Sequence, residues 1–279
     1  MRAAENRILR GIRMLGRHFL VYAVMPLVHA TSARVYVQHI PDFMFPLREY
    51  FRSFQKDWEH GRKGNNRGDY ARLLFFVVNL KQVLRNQVPG QVAELGVFKG
   101  NTAKVIRRLL PDRKLFLFDT FEGFAEADTR ADPSGANRGH YACGLDAVQR
   151  YLGVDDKIIY CVGRFPETTH HVGEDERFAV VHLDCDLYTP TRAALEYFYP
   201  RMSPGGLIII HDYFGDSWPG VTEAVDEFLR DKPEGVVIIP DKSGTAVITV
   251  AARDRANAAG AAGGFGFFLY EPAQWLVFV

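Results

Sequence analysis

Carboxylate side chains follow two apolar runs in the second half of the chain. Asp184 and Asp186 come just after residues 178–183, and Asp212 comes just after residues 207–210. If these runs are neighbouring parallel strands, they lie about 4.8 Å apart, so the carboxylates can converge on one small ion. Carboxylate oxygens without thiolates suit Mg²⁺ or Ca²⁺ better than Zn²⁺. The sequence therefore predicts a divalent-cation site, and Mg²⁺ is the expected ion.

The same residues also allow a simpler interpretation. An aspartate after a strand can cap the next helix, as Asp186 would, or a loop, as Asp212 would. Capping does not require the two strand ends to meet, whereas Asp184 and Asp212 end consecutive runs. That arrangement favours the cation site. His182 alternates within its strand and is expected to be a core histidine.

A second candidate site lies where the first apolar run turns through glycines. Residues 92–95 form a short predicted strand, Gly96 and Gly100 bound the turn, and a helix is expected to begin at Asn101 or Thr102. A strand that turns through glycines into a helix N-terminus lets the backbone approach a ligand closely. Glycines alone are a weak signal, because any turn between a strand and a helix can contain them.

Two acidic residues strengthen the prediction of a ligand at this turn. Glu94 lies within the predicted strand, and Asp119 comes nineteen residues after Gly100, at the end of the apolar run 115–118. An acid at that position can accept hydrogen bonds from both ribose hydroxyls of a nucleoside. Together they predict a nucleoside-bearing cofactor.

All these candidates fall at one edge of a sheet if strands and helices alternate along the chain. Such alternation predicts a parallel sheet with helices on both faces and ligands at the carboxyl ends of the strands. Residues 241–244 are too short for a crossover, so the last two strands are expected to form an antiparallel hairpin. The predicted strands are 92–96, 114–119, 157–162, 178–184, 206–211, 235–240 and 245–250, and the predicted helices between them are 101–110, 142–152, 190–201 and 219–230.

The chain before the first strand is predicted to be helical. Residues 1–20 carry five arginines and one glutamate and have apolar residues at helical spacing. This basic amphipathic helix is expected to cover the domain or a dimer partner; a membrane-surface helix and a secretory signal are the alternatives. A second helix is expected at 48–60 and a loop at 61–69. A helical stripe follows, formed by Tyr70, Leu73, Leu74, Val77, Leu80 and Leu84.

Composition narrows the class of protein. The formal charge of +1 gives no electrostatic reason to expect a nucleic-acid partner. Cys143, Cys161 and Cys185 lack metal-ligand spacing, so a reducing, cytoplasmic location is expected and a disulfide framework is not. We expect three parts: an N-terminal helical extension (1–69), an α/β domain (70–250) and an Ala/Gly-rich tail (251–279).

Several segments occur together in a recognisable order. They are ELGVFKG (94–100), DTFEGF (119–124), GRFPET (163–168), DCDLY (184–188), and HDY (211–213) followed by PGVTEAVDEF (219–228). In these segments and their order, the chain resembles the macrocin O-methyltransferase (TylF-type) family of class I S-adenosylmethionine-dependent methyltransferases. The resemblance implies a Rossmann-like sheet of seven strands with the last antiparallel. It also implies methyl transfer to a hydroxyl, typically on a sugar of a natural product or glycan, assisted by a divalent cation.

The resemblance also implies roles for the candidate residues. Asp184 is expected to bind the cation and take the acceptor proton, with Asp212 as second ligand and Asp186 as a weaker third. The family usually has two aspartates where this chain has His211 and Asp212, so the role of His211, as ligand or base, is left open. Phe121 either flanks the adenine or belongs to the core. The residues expected to bind the cofactor are Glu94, Gly96, Phe98, Gly100, Asn101, Thr102, Asp119, Thr120, Phe121 and Gly163.

Two other classes of function stay open on sequence alone. An NAD-dependent oxidoreductase would use a similar crevice, but it prefers a tighter glycine turn than one with Phe98 in it. A non-catalytic cofactor-binding partner of a glycan-assembly enzyme would leave the carboxylates unexplained. The expected partner is a small-molecule or glycan hydroxyl acceptor. Peripheral membrane contact through the basic helix and a homo-oligomer are further alternatives.

Overall fold

The computed structural model describes residues 53–61, 66–130 and 132–251. The basic helix expected at residues 1–20 and nearly all of the Ala/Gly-rich tail lie outside the described residues. The division into extension, domain and tail therefore stays a prediction. Within the described ranges, none of the helices has the length and apolar character needed to cross a membrane.

One seven-stranded sheet forms the centre of the described part of the chain. Its strands are β1 (Gln91–Leu95), β2 (Leu115–Asp119), β3 (Ile158–Val162), β4 (Phe178–Leu183), β5 (Met202–Ile210), β6 (Val237–Ile238) and β7 (Ala246–Thr249). Their order across the sheet is β3-β2-β1-β4-β5-β7-β6. The first five strands are parallel, and β7 runs antiparallel to both β5 and β6. The predicted α/β sheet and its closing hairpin are confirmed.

Helices cover both faces of this sheet. They are α1 (Tyr70–Arg85), α2 (Asn101–Leu109), the one-turn α3 (Glu126–Thr129), α4 (Leu145–Leu152), α5 (Tyr188–Phe198) and α6 (Pro219–Leu229). Alternate residues of a strand point to opposite faces. On one face Leu183 belongs to a buried cluster with Leu195 of α5 and Val225 of α6. On the other, His182 meets Phe76 of α1, with ring centroids 5.1 Å apart.

Two strands, β5 and the edge strand β6, differ from their predicted limits. β5 begins at Met202, four residues earlier than predicted, and its pairing with β4 shifts register there. Gly205, at φ +77°, absorbs this irregularity. β6 is shortened to Val237–Ile238, and both residues are exposed. A short edge strand limits pairing with other chains.

The buried face of α1 also differs from the predicted stripe. Tyr70 and Leu84 were placed on that stripe, but they are 40% and 44% exposed. The residues that α1 buries are Arg72, Leu73, Phe76, Val77, Leu80 and Val83. The face is therefore rotated from the predicted one, and it carries the charged side chain of Arg72 into the interior.

Residues 53–61 pack against the domain just before α1. Residues 53–58 are helical, in agreement with the predicted helix at 48–60. The fully buried Trp58 donates its indole N–H to the carbonyl of Asp69 (3.0 Å). The Asn101 side chain donates to the carbonyls of Trp58 (2.9 Å) and His60 (3.0 Å). The start of α2, and with it the glycine turn, is thereby joined to this segment.

Candidate active site

A cavity of about 380 Å³ lies at the carboxyl ends of β1, β2, β4 and β5. All but two of the residues predicted to form a site line it. On the cofactor side these are Glu94, Gly96, Phe98, Asn101, Thr102, Asp119, Thr120 and Gly163, and on the metal side they are Asp184, Asp186 and Asp212. The two predicted sites are thus neighbouring parts of one cavity.

Gly100 and Phe121 do not line the cavity. Gly100 is the N-cap of α2 at φ +76°, and a Cβ there would lie 3.2 Å from a side-chain carbon of Val148. Phe121 is 5% exposed and its ring packs near Tyr160. Both residues serve the fold locally, so the core alternative for Phe121 is the one that its surroundings support.

Position 96 requires a glycine because the end of β4 lies directly against it. Its φ is +88°, and a Cβ on it would lie 2.0 Å from the carbonyl oxygen of Asp184. The amide of Asp184 donates to the carbonyl of Leu95 (2.8 Å). The turn after β1 is therefore pressed against the end of β4, which brings the two halves of the cavity together. Gly96 also lines the cavity, so its expected role of admitting a cofactor stays a prediction.

We expect Gly96→Ala to lower the free energy of unfolding by about 2–4 kcal/mol, because a backbone overlap adds to left-handed strain. Gly144→Ala is a matched control, since its φ is −56° and nothing lies within 4 Å of its added Cβ. Urea denaturation of both variants measures the difference. Similar small changes in the two would mean that the turn relaxes freely.

Asp119 holds the glycine turn through the backbone. One carboxylate oxygen accepts from the amides of Val97 (2.7 Å) and Phe98 (2.9 Å), and the other accepts from Phe121 (2.7 Å). Its carbonyl accepts from the amide of Gly163 (2.9 Å). Because a carboxylate offers about four acceptor positions, roughly one is left for a ligand. Asp119 is therefore first a clamp on the turn, a role that its spacing in the sequence did not indicate.

Glu94 forms a buried pair with His182. Glu94 Oε1 lies 3.0 Å from His182 Nδ1, and both side chains are almost fully buried. Burial, followed by the charge of Asp184, raises the pKa of Glu94 well above its usual value, and burial lowers the pKa of His182 to about 3. Burial therefore disfavours the charged forms of both side chains. Glu94 Oε2 has no hydrogen-bond partner among the described residues, so the cavity wall offers one unused polar atom.

The opposite end of the cavity is a cluster of acids around His211. Nδ1 of His211 lies 2.8 Å from an oxygen of Asp184 and 2.7 Å from one of Asp212. Neither contact has the direction that a hydrogen bond requires. One ligand atom from each of these three residues lies within 4.8 Å of the others, which is a spacing that suits a metal ion. Of the residues that the structure describes, Asp184, His211 and Asp212 form the candidate cation site.

Charge–charge interactions dominate this acidic cluster. Burial lowers the pKa of His211, but the carboxylates of Asp184 and Asp212 outweigh it and raise that pKa to about 9. Burial opposes ionisation of Asp184, yet His211 and Arg72 hold its pKa below the usual range. Burial, Asp184 and Asp212 raise the pKa of Asp186 well above its usual value. Excess negative charge at this end favours a bound cation.

Asp186 does not cap the helix that follows it. The N-cap of α5 is Leu187, which makes no side-chain capping bond. The amide of Tyr188 instead donates to the carboxylate of Asp132 (2.9 Å), from a distant loop. Asp186 itself adopts φ +62° and lines the cavity. Its proximity to the other acids is therefore not a by-product of capping.

Arg72 supports the acidic cluster from α1, and the sequence analysis missed it. The side chain is 1% exposed, and its guanidinium lies 3.5 Å from Asp184 and 3.3 Å from Asp69. It also donates to the side chain of Asn66 and lies over the ring of Trp58 at 5.0 Å. The sequence did contain a signal for Arg72, because this charged residue lies at helical spacing from apolar residues that are buried. The predicted stripe shares Leu73, Val77 and Leu80 with the observed buried face but does not include Arg72.

Comparisons with known proteins support these observations. The sequence model of the family described as Macrocin-O-methyltransferase (TylF) matches residues 49–236. The chain is 35% identical over 170 residues to Mycinamicin III 3''-O-methyltransferase of Micromonospora griseorubida, covering 55% of this chain and 65% of that protein. It is also 35% identical over 155 residues to 8-demethyl-8-(2,3-dimethoxy-alpha-L-rhamnosyl)-tetracenomycin-C 4'-O-methyltransferase of Streptomyces olivaceus, covering 50% and 58%. The chain thus matches less than two thirds of either relative's length.

A solved structure shares the fold. The O-methyltransferase NovP matches with a TM-score of 0.63 at 22% sequence identity, covering 74% of this chain and 99% of that chain. At this identity the match concerns the architecture alone. The family model, in contrast, spans more than half of the chain. The protein belongs to the macrocin-O-methyltransferase (TylF) family.

Proposed function

We propose that this protein is an S-adenosylmethionine-dependent O-methyltransferase that acts, with a divalent cation, on a hydroxyl of a sugar or glycosylated natural product. The observation that carries the proposal is the single cavity that joins the turn after β1 to the cluster of Asp184, His211 and Asp212. Family membership and the names of the two relatives, both of them O-methyltransferases, point the same way.

The cofactor side of the cavity fits S-adenosylmethionine. Glu94 Oε2 is an unpaired acceptor in the wall, suited to a donor group of the cofactor's methionine part. The remaining acceptor position of Asp119 suits a ribose hydroxyl. Phe98 occupies a turn position that a pyrophosphate-binding loop would give to glycine. These features favour a nucleoside without a pyrophosphate, and so they argue against NAD.

The acidic side fits a divalent cation. Asp184 and Asp212 offer carboxylate oxygens, and the misaligned Nδ1 of His211 between them is a position where a cation could replace a proton. Asp186 adds a further carboxylate nearby. Because oxygens form the majority of these donors, we propose Mg²⁺.

The chemistry follows from positioning and charge. When bound, S-adenosylmethionine supplies a methyl group for in-line displacement, and a divalent cation supplies charge that lowers the pKa of an acceptor hydroxyl. Asp184 and Asp212 would orient that hydroxyl from the end of β4 and β5. Asp184, our proposed proton acceptor, is held ionised by its neighbours. It can therefore take the proton only from a hydroxyl whose own pKa has been lowered.

Isothermal titration with S-adenosylmethionine, S-adenosylhomocysteine and NAD, each with Mg²⁺, tests the proposed function. We expect the first two to bind and NAD not to bind. Methyl transfer to a panel of rhamnosides, followed by mass spectrometry, tests the reaction itself, with a gain of one methyl group as the expected product. Preference for NAD would overturn the proposal.

We expect Asp119→Ala to weaken S-adenosylmethionine binding by roughly 1–3 kcal/mol, the range for a lost charge-assisted hydrogen bond. The loss combines a missing ribose contact with release of the amides of Val97 and Phe98. Asp146→Ala, in the first turn of α4 and exposed, is the control. Unchanged affinity in Asp119→Ala by calorimetry would remove Asp119 from the cofactor site.

The remaining assignments are proposals of a more general kind. A small-molecule acceptor suits the size of the cavity. A cytoplasmic location suits an intracellular cofactor and free cysteines. Membrane contact and oligomer formation stay predictions, because they depend on residues 1–52.

A further inference from the structure

Three aromatic side chains form a wall of the cavity next to the acidic cluster. Phe124 meets Tyr141 edge to face at 5.6 Å and meets Trp218 edge to face at 5.7 Å. The rings of Tyr141 and Trp218 lie 6.2 Å apart. All three residues line the cavity and are only partly buried. Trp218 also packs against the buried core, and the accessible parts of the three rings present a surface to whatever occupies the cavity.

Separate parts of the chain hold this aromatic wall in place. Trp218 immediately precedes α6, and the other two rings belong to the long loop between β2 and α4. That loop is closed at its base by backbone hydrogen bonds between Phe124 and His140 (3.1 Å) and between Gly139 and Phe124 (3.0 Å). Its middle is anchored where the buried Asp128 accepts from Arg164 (2.7 Å). The rings are therefore positioned by tertiary contacts.

Part of the aromatic wall follows the strand that carries the acids. Trp218 comes after the end of β5, where His211 and Asp212 lie, and all three rings line the same cavity as Asp184. Tyr141 also meets Phe98 of the glycine turn at 5.4 Å, so the wall extends from the acids toward the proposed cofactor side.

We propose that Phe124, Tyr141 and Trp218 bind the apolar C–H face of the acceptor's sugar ring and direct one of its hydroxyls toward Asp184 and Asp212. This inference rests on the proposed function. Sugar C–H groups carry slight positive charge and pack favourably on the negative face of an aromatic ring. A 6-deoxy sugar presents the largest apolar face of this kind. A 6-deoxyhexoside is therefore the class of acceptor that we propose for this wall.

Methyl α-L-rhamnopyranoside, titrated in the presence of S-adenosylhomocysteine and Mg²⁺, is the probe for this subsite. We expect saturation-transfer NMR to show the strongest transfer to the ring C–H protons and the 6-methyl group. Trp218→Leu should weaken binding of the rhamnoside about 10-fold, the scale of one lost aromatic contact. The affinity for S-adenosylhomocysteine should change by less than about twofold.

Phe214→Leu is the matched control, because Phe214 lies on the same segment but is 73% exposed and outside the cavity lining. If Trp218→Leu fails to fold by circular dichroism, Phe124→Leu carries the test. An equal loss of cofactor and rhamnoside affinity would assign the rings to the cofactor and overturn the proposal. The proposal would also be overturned if wild-type protein binds S-adenosylhomocysteine but saturation-transfer NMR shows no magnetisation transfer to the rhamnoside. Failure to bind S-adenosylhomocysteine would instead refute the proposed function.

Discussion

Asp184→Asn is expected to lower turnover by about 100-fold or more while S-adenosylmethionine affinity stays within about twofold. Asparagine keeps the size and one oxygen of aspartate but loses the charge that a hard cation requires. Asp184 lies beside His211 and Arg72, at the acceptor end of the cavity, so cofactor contacts are not removed. Steady-state kinetics and cofactor titration on the same preparation measure the two effects.

The cation itself can be tested without any substitution. Activity should disappear when EDTA removes divalent cations and should return with Mg²⁺. Asp212→Asn should behave like Asp184→Asn, whereas Asp216→Asn, an exposed residue outside the cavity lining, should have no effect. Activity that survives EDTA would leave the acids with a structural or proton-transfer role. A joint loss of cofactor binding and thermal stability in Asp184→Asn would mean that Asp184 supports the strand end.

Arg72→Leu is expected to lower the free energy of unfolding by about 3–5 kcal/mol, because it leaves buried carboxylates without their cation. The leucine would fill much of the volume over Trp58, but Asp69, which is 3% exposed, would keep an uncompensated charge. We expect Arg72→Lys to be intermediate, since lysine keeps the charge but not the planar set of donors that meets Asn66 and Asp184 together.

Arg192→Leu provides the comparison for Arg72. Arg192 pairs with Glu196 at 2.7 Å, but its side chain is 32% exposed, and exposed pairs contribute about 0–1 kcal/mol. Urea unfolding of the three arginine variants should therefore separate Arg72→Leu from Arg192→Leu clearly. A loss below about 1 kcal/mol in Arg72→Leu would show that water or a rearranged acid compensates the buried charge.

The fold could be predicted because its strands are apolar and alternate with helical segments. The hairpin followed from the short connection at residues 241–244, and the sheet followed from alternation of strands and helices. The convergence of Asp184 with Asp212 followed from parallel strand ends, which meet at one edge of any such sheet. These inferences depend only on local pattern and general geometry.

What the sequence did not reveal depends on contacts between distant residues. Asp119 was expected to hold a ribose, yet three backbone amides use most of its acceptor positions. Gly96 was expected to admit a ligand, and nothing in the sequence indicated that it also packs against the carbonyl of Asp184. Arg72 was missed because the predicted stripe of α1 was drawn through apolar residues, whereas the observed buried face also includes this charged residue. Each of these three roles depends on a contact with a residue that is distant in the sequence. The type and spacing of a residue do not identify that distant partner.

The paired base of the loop between β2 and α4 allows the loop to vary in length. The hydrogen bonds joining Phe124 to Gly139 and His140 hold the two ends of the loop together, whatever lies between them. Much of the stretch at 133–138 is exposed, and length changes in surface loops cost little. Residues 133–138 do not line the cavity, so insertions or deletions there should leave the glycine turn and the acids in place. Libraries that vary this stretch in length therefore test whether the loop influences the choice of the proposed acceptor while binding of the proposed cofactor is kept.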